Sequence, residues 1–164
     1  MPKKLPKEAI QAQIEGQIQL TPGEAKLHSL LPSKVGGSYD DQTPFVVLKY
    51  FRNAFECFSD WEKDELKQFS GFLEELRKRT WRQVLATSSK EGGKRGLAYT
   101  PYDTNHVDKS IREQFEAIRG QISEDIRFFE LRVDQGKLRV HGFRSKAAFF
   151  LVLLDREHRV WPMK

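Results

Sequence analysis

Histidines, arginines and a tryptophan that could act together on a nucleic acid lie in the last strands predicted for this 164-residue chain. Imidazoles that titrate near neutrality can move protons, and arginine or lysine can hold phosphate groups. An indole ring can stack on a base. These groups are what metal-independent cleavage of RNA through its 2′-hydroxyl requires. The predicted catalytic residues are His141 and His158, and the predicted nucleic-acid-binding residues are Arg132, Lys137, Arg139, Arg144, Arg159 and Trp161.

This prediction depends on one geometrical idea, that the side chains share a solvent-facing platform. Period-two alternation along the predicted strand puts Lys137, Arg139 and His141 on one face. The alternative is an ordinary half-exposed sheet, whose charged side chains are merely solvated. Residue types and spacing are the same in both cases, so both interpretations stay open at this point.

The net charge of +5 is concentrated in the same part of the chain. Nine Lys and Arg residues and four Asp and Glu residues lie between Arg127 and Lys164, whereas the rest of the chain carries 19 basic and 19 acidic residues. A polyanion is attracted to such a segment if its cations share a face. We therefore expect nucleic acid as the partner, and RNA rather than DNA.

Other kinds of chemistry have no support in the sequence. The four histidines show no metal-ligand spacing such as HExxH, and Cys57 is the only cysteine, so neither a metal site nor an intrachain disulfide is expected. Cys57 is expected to be buried as a small apolar residue. No phosphate-binding GxxxxGK[ST] loop, GxSxG elbow or GxGxxG motif occurs. The sequence therefore predicts a protein that needs no cofactor.

The length of the chain and its predicted elements indicate one α+β domain with an N-terminal appendage. With 38% hydrophobic residues, among them twelve Phe, the chain can build a core despite 31% charged residues. Residues 1–41 are predicted to be an appendage and linker, and residues 42–164 a single domain in which helices pack on an antiparallel β-meander. No apolar run approaches the roughly 18 residues of a membrane span, and no secretory signal is apparent. We expect a cytoplasmic protein that does not contact membranes.

Three helices are predicted before the meander. The first is expected to begin at the capping box Ser59–Glu62. Its predicted core face has spacings of three and four and consists of Leu66, Phe69, Leu73 and Leu76. A second box, formed by Thr80 and Gln83, begins a short helix, and Asp108 caps the third. The predicted core face of the third helix is Ile111, Phe115, Ile118 and Ile122.

The strands are predicted from β-branched and aromatic runs and from alternation. Phe45–Phe51 is expected to be a mostly buried strand. Arg127–Val133 and Lys137–Phe143 alternate, and they are expected to form a hairpin around a turn at Asp134–Gly136.

Two further strands complete the predicted meander. Ala147–Leu154 is almost wholly apolar, as expected of a central strand or of one at a contact with another protein. His158–Met163 is predicted as an edge strand, because Pro162 cannot donate to a ladder. A protein partner, if there is one, is expected to bind the apolar strand or the appendage.

The last part of the chain resembles the RelE and HigB superfamily of bacterial toxin ribonucleases. The resemblance is carried by the run FFELRV at 128–133, which is similar to the ELR-containing strand of that superfamily, and by the strands up to Trp161. It implies cleavage of ribosome-bound messenger RNA. The positions that it singles out are Arg132, Arg139, His141, Arg144, His158 and Arg159. Residues 139–144 and 149–158 look more like a group of small uncharacterised bacterial and phage proteins, a similarity that implies no activity.

The working hypothesis is a prokaryotic nucleic-acid-binding protein whose enzymatic form would be a toxin-type, metal-independent endoribonuclease acting in a toxin–antitoxin pair. The alternative is a non-catalytic protein-interaction module of a phage, defence or regulatory system. The two differ in salt dependence, because binding through several phosphates weakens steeply as salt rises.

Overall fold

A computed structural model describes residues 37–87 and 97–162 of the chain. Over these residues the fold is α+β, with three α-helices and one five-stranded sheet. The helices are α1 (Lys63–Arg77), α2 (Trp81–Leu85) and α3 (Lys109–Gln121). The strands are β1 (Phe45–Val47), β2 (Thr100–Pro101), β3 (Phe128–Arg132), β4 (Arg139–Ser145) and β5 (Ala148–Asp155). None of the helices in these two ranges is long and apolar enough to cross a membrane.

The sheet has the strand order β1-β5-β4-β3-β2. The predicted meander is confirmed, because β3, β4 and β5 pair antiparallel in succession. Two short strands extend the meander at its edges, of which β1 falls within the predicted strand Phe45–Phe51 and β2 was not predicted. β1 pairs in parallel with β5, and β2 pairs antiparallel with β3.

β5 is the central strand that its apolar run predicts. It lies between β1 and β4, and of its eight residues only Phe150 is not fully buried. Helices α1 and α2 cover one face of the sheet, where Phe149 and Leu151 join their core cluster. Helix α3 covers the other face, where Val152 and Leu153 join a second cluster. β5 is therefore enclosed by its two neighbouring strands and by the helices on both faces of the sheet.

The predicted start of α1 is wrong. Residues Phe58–Asp60 form a 3-10 turn in which the N–H of Cys57 donates to Oδ2 of Asp60 at 2.7 Å. The helix begins only after Glu62, whose N–H donates to Oε2 of Glu65 at 2.8 Å. Acidic residues therefore supply the caps that were assigned to Ser59. Cys57 is half-buried and not fully buried as predicted.

The buried face of α1 is centred on Phe72, which the sequence pattern did not include. Phe72 and Leu76 are buried, whereas Leu66 and Leu73 are 36% and 37% exposed. Phe69, Phe72 and Leu76 are also spaced by three and four residues. Periodicity alone therefore does not decide which of two neighbouring stripes of the helix is buried.

Helices α2 and α3 begin where the sequence predicts. The N–H of Thr80 donates to Oε1 of Gln83 at 2.9 Å, and the N–H of Gln83 donates back to the Thr80 hydroxyl at 3.4 Å. α3 follows Asp108 and buries three of its four predicted core residues. The fourth, Ile122, lies beyond the end of the helix and is 43% exposed.

Two predicted strands differ from the structure. The first is limited to Phe45–Val47, and these residues are only half-buried because β1 is an edge strand. The predicted final strand is absent over its described residues, 158–162. His158 has φ of 56°, a left-handed conformation that an extended strand excludes.

A β-bulge divides β4 into two parts. The register shifts between His141 and Gly142, where β5 contributes an extra residue, Val152. The carbonyl of Val152 accepts the N–H of Arg52 at 2.8 Å. A Cβ on Gly142 would overlap the carbonyl oxygen of Phe150, so this close approach of β4 to β5 requires glycine.

Candidate functional site

The two predicted catalytic histidines lie close together on the α3 side of the sheet, around Glu130. Glu130 on β3 is the cross-strand neighbour of His141 on β4. Its Oε1 lies 3.2 Å from Nε2 of His158 and 3.9 Å from Nε of Arg139. The set that these contacts define, called the polar cluster below, consists of Tyr102, Glu130, Arg139, His141, Asp155 and His158.

His141 is fully buried at the centre of the polar cluster. Its Nε2 lies 3.3 Å from Oδ2 of Asp155, and its Nδ1 lies 2.9 Å from the hydroxyl of Tyr102. Both ring nitrogens are therefore engaged by protein groups. His141 has no surface from which it could reach a substrate.

Asp155 fixes the turn that follows β5. Its carboxylate accepts the N–H groups of Arg159 and Val160, both at 2.8 Å, in addition to its contact with His141. Burial acts to raise the pKa of Asp155, but the hydrogen bond with His141 and these backbone donors outweigh it, so the pKa is lowered. The chain is thereby held in a turn where a strand was predicted.

Tyr102 completes the contacts of His141. Burial, reinforced by the charges of Glu130 and Asp155, raises the pKa of Tyr102 well above its ordinary value. The phenol is therefore protonated at physiological pH. It can donate to Nδ1 of His141, which leaves the Nε2–H group to face Asp155.

Two features of the polar cluster are unfavourable for stability. Oε2 of Glu130 is buried and has no hydrogen-bond partner among the described residues. The left-handed backbone at His158 is the second, since only glycine adopts it without strain. The His158 side chain is 10% exposed, so this is the histidine of the cluster that reaches solvent.

The polar cluster offers no metal site. Among residues 37–87 and 97–162, no group of three or more His, Cys, Asp and Glu side chains is arranged to hold a metal ion. Arg139 occupies part of the space around Glu130, and burial lowers the pKa of this arginine.

The prediction of a shared, solvent-facing basic platform is wrong. Lys137 lies 3.2 Å from Glu157, and Arg159 lies 3.0 Å from Glu56. Arg156 lies between two carboxylates at the start of α1, at 2.9 and 2.6 Å. Carboxylates therefore face several cations of the C-terminal segment, and those of Glu56, Glu62 and Glu65 are far away in the sequence. The sequence does not show this, because the fold decides which carboxylates approach which cations.

Arg132 and Trp161 border the polar cluster. Arg132 is half-buried and lies opposite Arg139 at the end of β3. Trp161 is also half-buried, and its ring stacks on Tyr102 with the centroids 5.2 Å apart. A protein side chain therefore already occupies one face of the indole that was predicted to stack on a base.

A second candidate site, a cleft of about 540 Å³, lies at the other end of β4, beside the start of β3. We call it the Tyr99 cleft. The lining residues that bear on its chemistry are Tyr99, Asp125, Arg127, Phe129, Phe143 and Arg144. Arg144 is the only one of these that the sequence analysis named for nucleic-acid binding.

The two arginines of the Tyr99 cleft are held differently. Arg144 is anchored, since its Nη1 lies 2.6 Å from Oδ1 of Asp40 and its guanidinium lies 4.6 Å from the ring centroid of Trp81. Its Nε also donates to the carbonyl of Lys146 at 2.7 Å. Arg127 is exposed and has no ion-pair or hydrogen-bond partner among the residues that the structure describes. The cleft therefore combines a fixed cation with an available one.

Tyr99 forms an aromatic wall of the cleft. Its ring lies against Phe129, with the centroids 4.8 Å apart. Burial raises the pKa of Tyr99, while the nearby charges of Arg144 and Arg127 act in the opposite direction. Sequence reasoning did not bring Tyr99 and Arg127 together, because the two residues are distant in the chain and share no motif.

Comparison with known proteins adds no relative. No protein-family model, no curated protein and no solved structure matches this chain. The resemblance to the RelE and HigB superfamily therefore stays a prediction.

Proposed function

We propose that this protein binds nucleic acid at the Tyr99 cleft, with RNA as the expected ligand. The observation that supports this best is Arg127, an exposed cation without a partner among the described residues, next to the anchored Arg144 in a cleft with aromatic walls. Arginine presents a rigid fork of donors that suits phosphate oxygens, and aromatic rings accept unstacked bases. At Lys137, Arg144 or Arg159, a phosphate has to compete with a carboxylate, whereas Arg127 is directly available.

Two carboxylates limit how much charge the cleft offers. Asp40 is paired with Arg144, and Asp125 is itself part of the lining. Few phosphates can therefore be held, and we expect about two. For a single strand this corresponds to a slope of about −1.4 in a plot of log affinity against log salt concentration.

Fluorescence anisotropy of a labelled single-stranded RNA, measured from about 50 to about 200 mM salt, tests the proposal. Arg127→Gln should weaken binding and reduce the slope to about −0.7, because one phosphate contact is lost. Arg77→Gln is the matched control, since Arg77 is exposed on α1 and paired with Glu74 at 2.8 Å. Failure of the wild-type protein to bind, or an Arg127→Gln variant that binds like wild type, would contradict the proposal.

Cleavage of RNA by His141 and His158 stays a prediction. The burial of the two histidines limits the role that each could have in such a reaction. His141 is fully buried, so it can only position other groups unless the fold opens locally. His158 is the histidine of the polar cluster that solvent reaches. If the protein is an endoribonuclease, His158→Ala should abolish cleavage and relieve growth inhibition on overexpression. Intact RNA after incubation with purified wild-type protein would remove the enzymatic function.

The alternative, a protein-interaction module, gains no surface from the structure. The apolar strand β5 is covered on both faces and flanked on both edges. Residues 1–36 of the predicted appendage lie outside the described residues. Residues 37–41 of the predicted appendage are described, and among them Asp41 pairs with Arg82 of α2 at 2.8 Å. We therefore propose no second function.

A further inference from the structure

The Tyr99 cleft is an open depression of the size of a small-ligand site. Its volume of about 540 Å³ falls in the range of about 300 to 1,000 Å³ that is usual for small-ligand pockets. A duplex presents a convex backbone, and its bases are stacked inside. Only a nucleotide that has left its stack and its base pair can enter a concave site of this kind.

The aromatic wall of the cleft is backed by the protein core. Phe129, on which Tyr99 packs, lies 5.4 Å from the ring of Phe149 and 6.0 Å from that of Trp81. Phe149 and Trp81 are both fully buried. The position of Tyr99 is therefore set by packed rings, which favours a fixed stacking surface over a mobile one.

The charged groups lie beside this aromatic wall. Arg127 and Arg144 line the cleft together with Tyr99. The hydroxyls of Ser123 and Ser145 and the carboxylate of Asp125 belong to the same lining. These groups can exchange hydrogen bonds with the edge of a base, whereas Asp125 disfavours a second phosphate close to it.

We infer that the Tyr99 cleft takes one unpaired nucleotide of a strand, with its base stacked on Tyr99 and its two flanking phosphates held one each by Arg127 and Arg144. The inference rests on the proposed function and deepens it, since it names single-stranded nucleic acid as the ligand class. The shared chemistry is that of a nucleoside monophosphate unit. Such a unit can come from a strand or from a free nucleotide.

Three probes and three variants test the inference. The probes are a labelled single-stranded RNA, the same RNA annealed to its complement, and adenosine 5′-monophosphate as competitor. The variants are Tyr99→Phe, which keeps the ring, Tyr99→Leu, which removes it, and Arg127→Gln. Thermal unfolding followed by circular dichroism establishes that each variant is folded at the assay temperature.

The expected result is preferential binding of the single strand, by about tenfold or more over the duplex. Tyr99→Leu should lose about tenfold in affinity for the single strand, whereas Tyr99→Phe should stay within about twofold of wild type. The monophosphate should displace the strand.

The contrary results separate the two proposals. Equal affinity for single strand and duplex, with Tyr99→Leu unaffected and Arg127→Gln weakened, overturns the nucleotide site and leaves nucleic-acid binding in place. Binding of the monophosphate alone overturns nucleic-acid binding and assigns the site to a free nucleotide. Absence of binding by all three probes overturns both.

Discussion

The polar cluster and the Tyr99 cleft lie at opposite ends of β4 and use their charged residues in opposite ways. In the polar cluster, imidazoles and a guanidinium face two buried carboxylates, Glu130 and Asp155. In the cleft, Arg127 is exposed, and Arg144 is fixed by its ion pair with Asp40 and its contact with the ring of Trp81. A residue type suited to chemistry is therefore available for binding where the fold leaves it exposed, as at Arg127, and not where the fold buries it against a carboxylate, as at His141.

The largest effect is expected from Asp155→Ala in the polar cluster. The substitution leaves His141 and the N–H groups of Arg159 and Val160 buried without their acceptor. The free energy of unfolding should fall by about 3 to 5 kcal/mol, measured by urea denaturation. Glu157→Ala removes an exposed pair with Lys137 and should change stability by less than about 0.5 kcal/mol. Similar values for the two variants would show that the polar cluster is not what anchors the turn.

The next largest effect is expected at Gly142, on the bulge between the two regions. Gly142→Ala places a methyl group against the backbone carbonyl of Phe150, so we expect destabilisation by about 3 kcal/mol. Gly120→Ala is the control, since open space surrounds that position in α3. It should stabilise the protein by about 0.5 to 1 kcal/mol. A tolerated alanine at 142 in thermal unfolding would mean that β4 and β5 do not approach this closely.

A smaller effect is the pH dependence that Asp155 gives to stability. Because its pKa is lowered in the folded protein, its contribution is fully present above the unfolded value of about 3.9 and is lost as the pH falls toward the folded pKa. The stability difference between wild type and Asp155→Asn should therefore shrink as the pH falls from about 6 to about 3. Urea denaturation across that range measures it, and a constant difference would show that the carboxylate is not charged in the fold.

The smallest effect on stability is expected at the cleft. Arg127→Gln removes an exposed side chain with no partner among the described residues, so the free energy of unfolding should change by less than about 0.5 kcal/mol. Its effect on RNA affinity should be much larger than its effect on stability. A loss of stability above about 1 kcal/mol would indicate that Arg127 has a structural role that its exposure does not suggest.

The parts of the fold that the sequence predicted are those determined by local chemistry. Thr80 and Gln83 cap α2 reciprocally, and alternation around a glycine-containing turn is enough to place β3 and β4. β1 could not be paired from sequence, since its partner β5 begins about a hundred residues later and parallel pairing leaves no turn signal. The final strand failed because the carboxylate of Asp155 imposes a turn that no residue type announces.

The two candidate sites also differ in how much of each could be predicted from the sequence. His141, His158 and Arg139 lie close to Glu130 and Asp155, and the sequence analysis did not predict that these two carboxylates face them. One signal was present, since Glu130 stands between Phe129 and Leu131 in the strand, and a buried carboxylate must find a donor or a cation. The Tyr99 cleft had no comparable signal, because its walls come from β3, β4 and the segments around them.

Amide chemical shifts followed by nuclear magnetic resonance during titration with single-stranded RNA compare the two regions in one measurement. We expect the largest changes in amide chemical shift at the Tyr99 cleft, at residues 97–100, 122–129 and 143–146. The amide chemical shifts should not change at the opposite end of β4, at Tyr102, His158 and Trp161. Shifts centred on these three residues, or none at the cleft, would contradict the claim that the reachable arginines and not the buried histidines form the binding site.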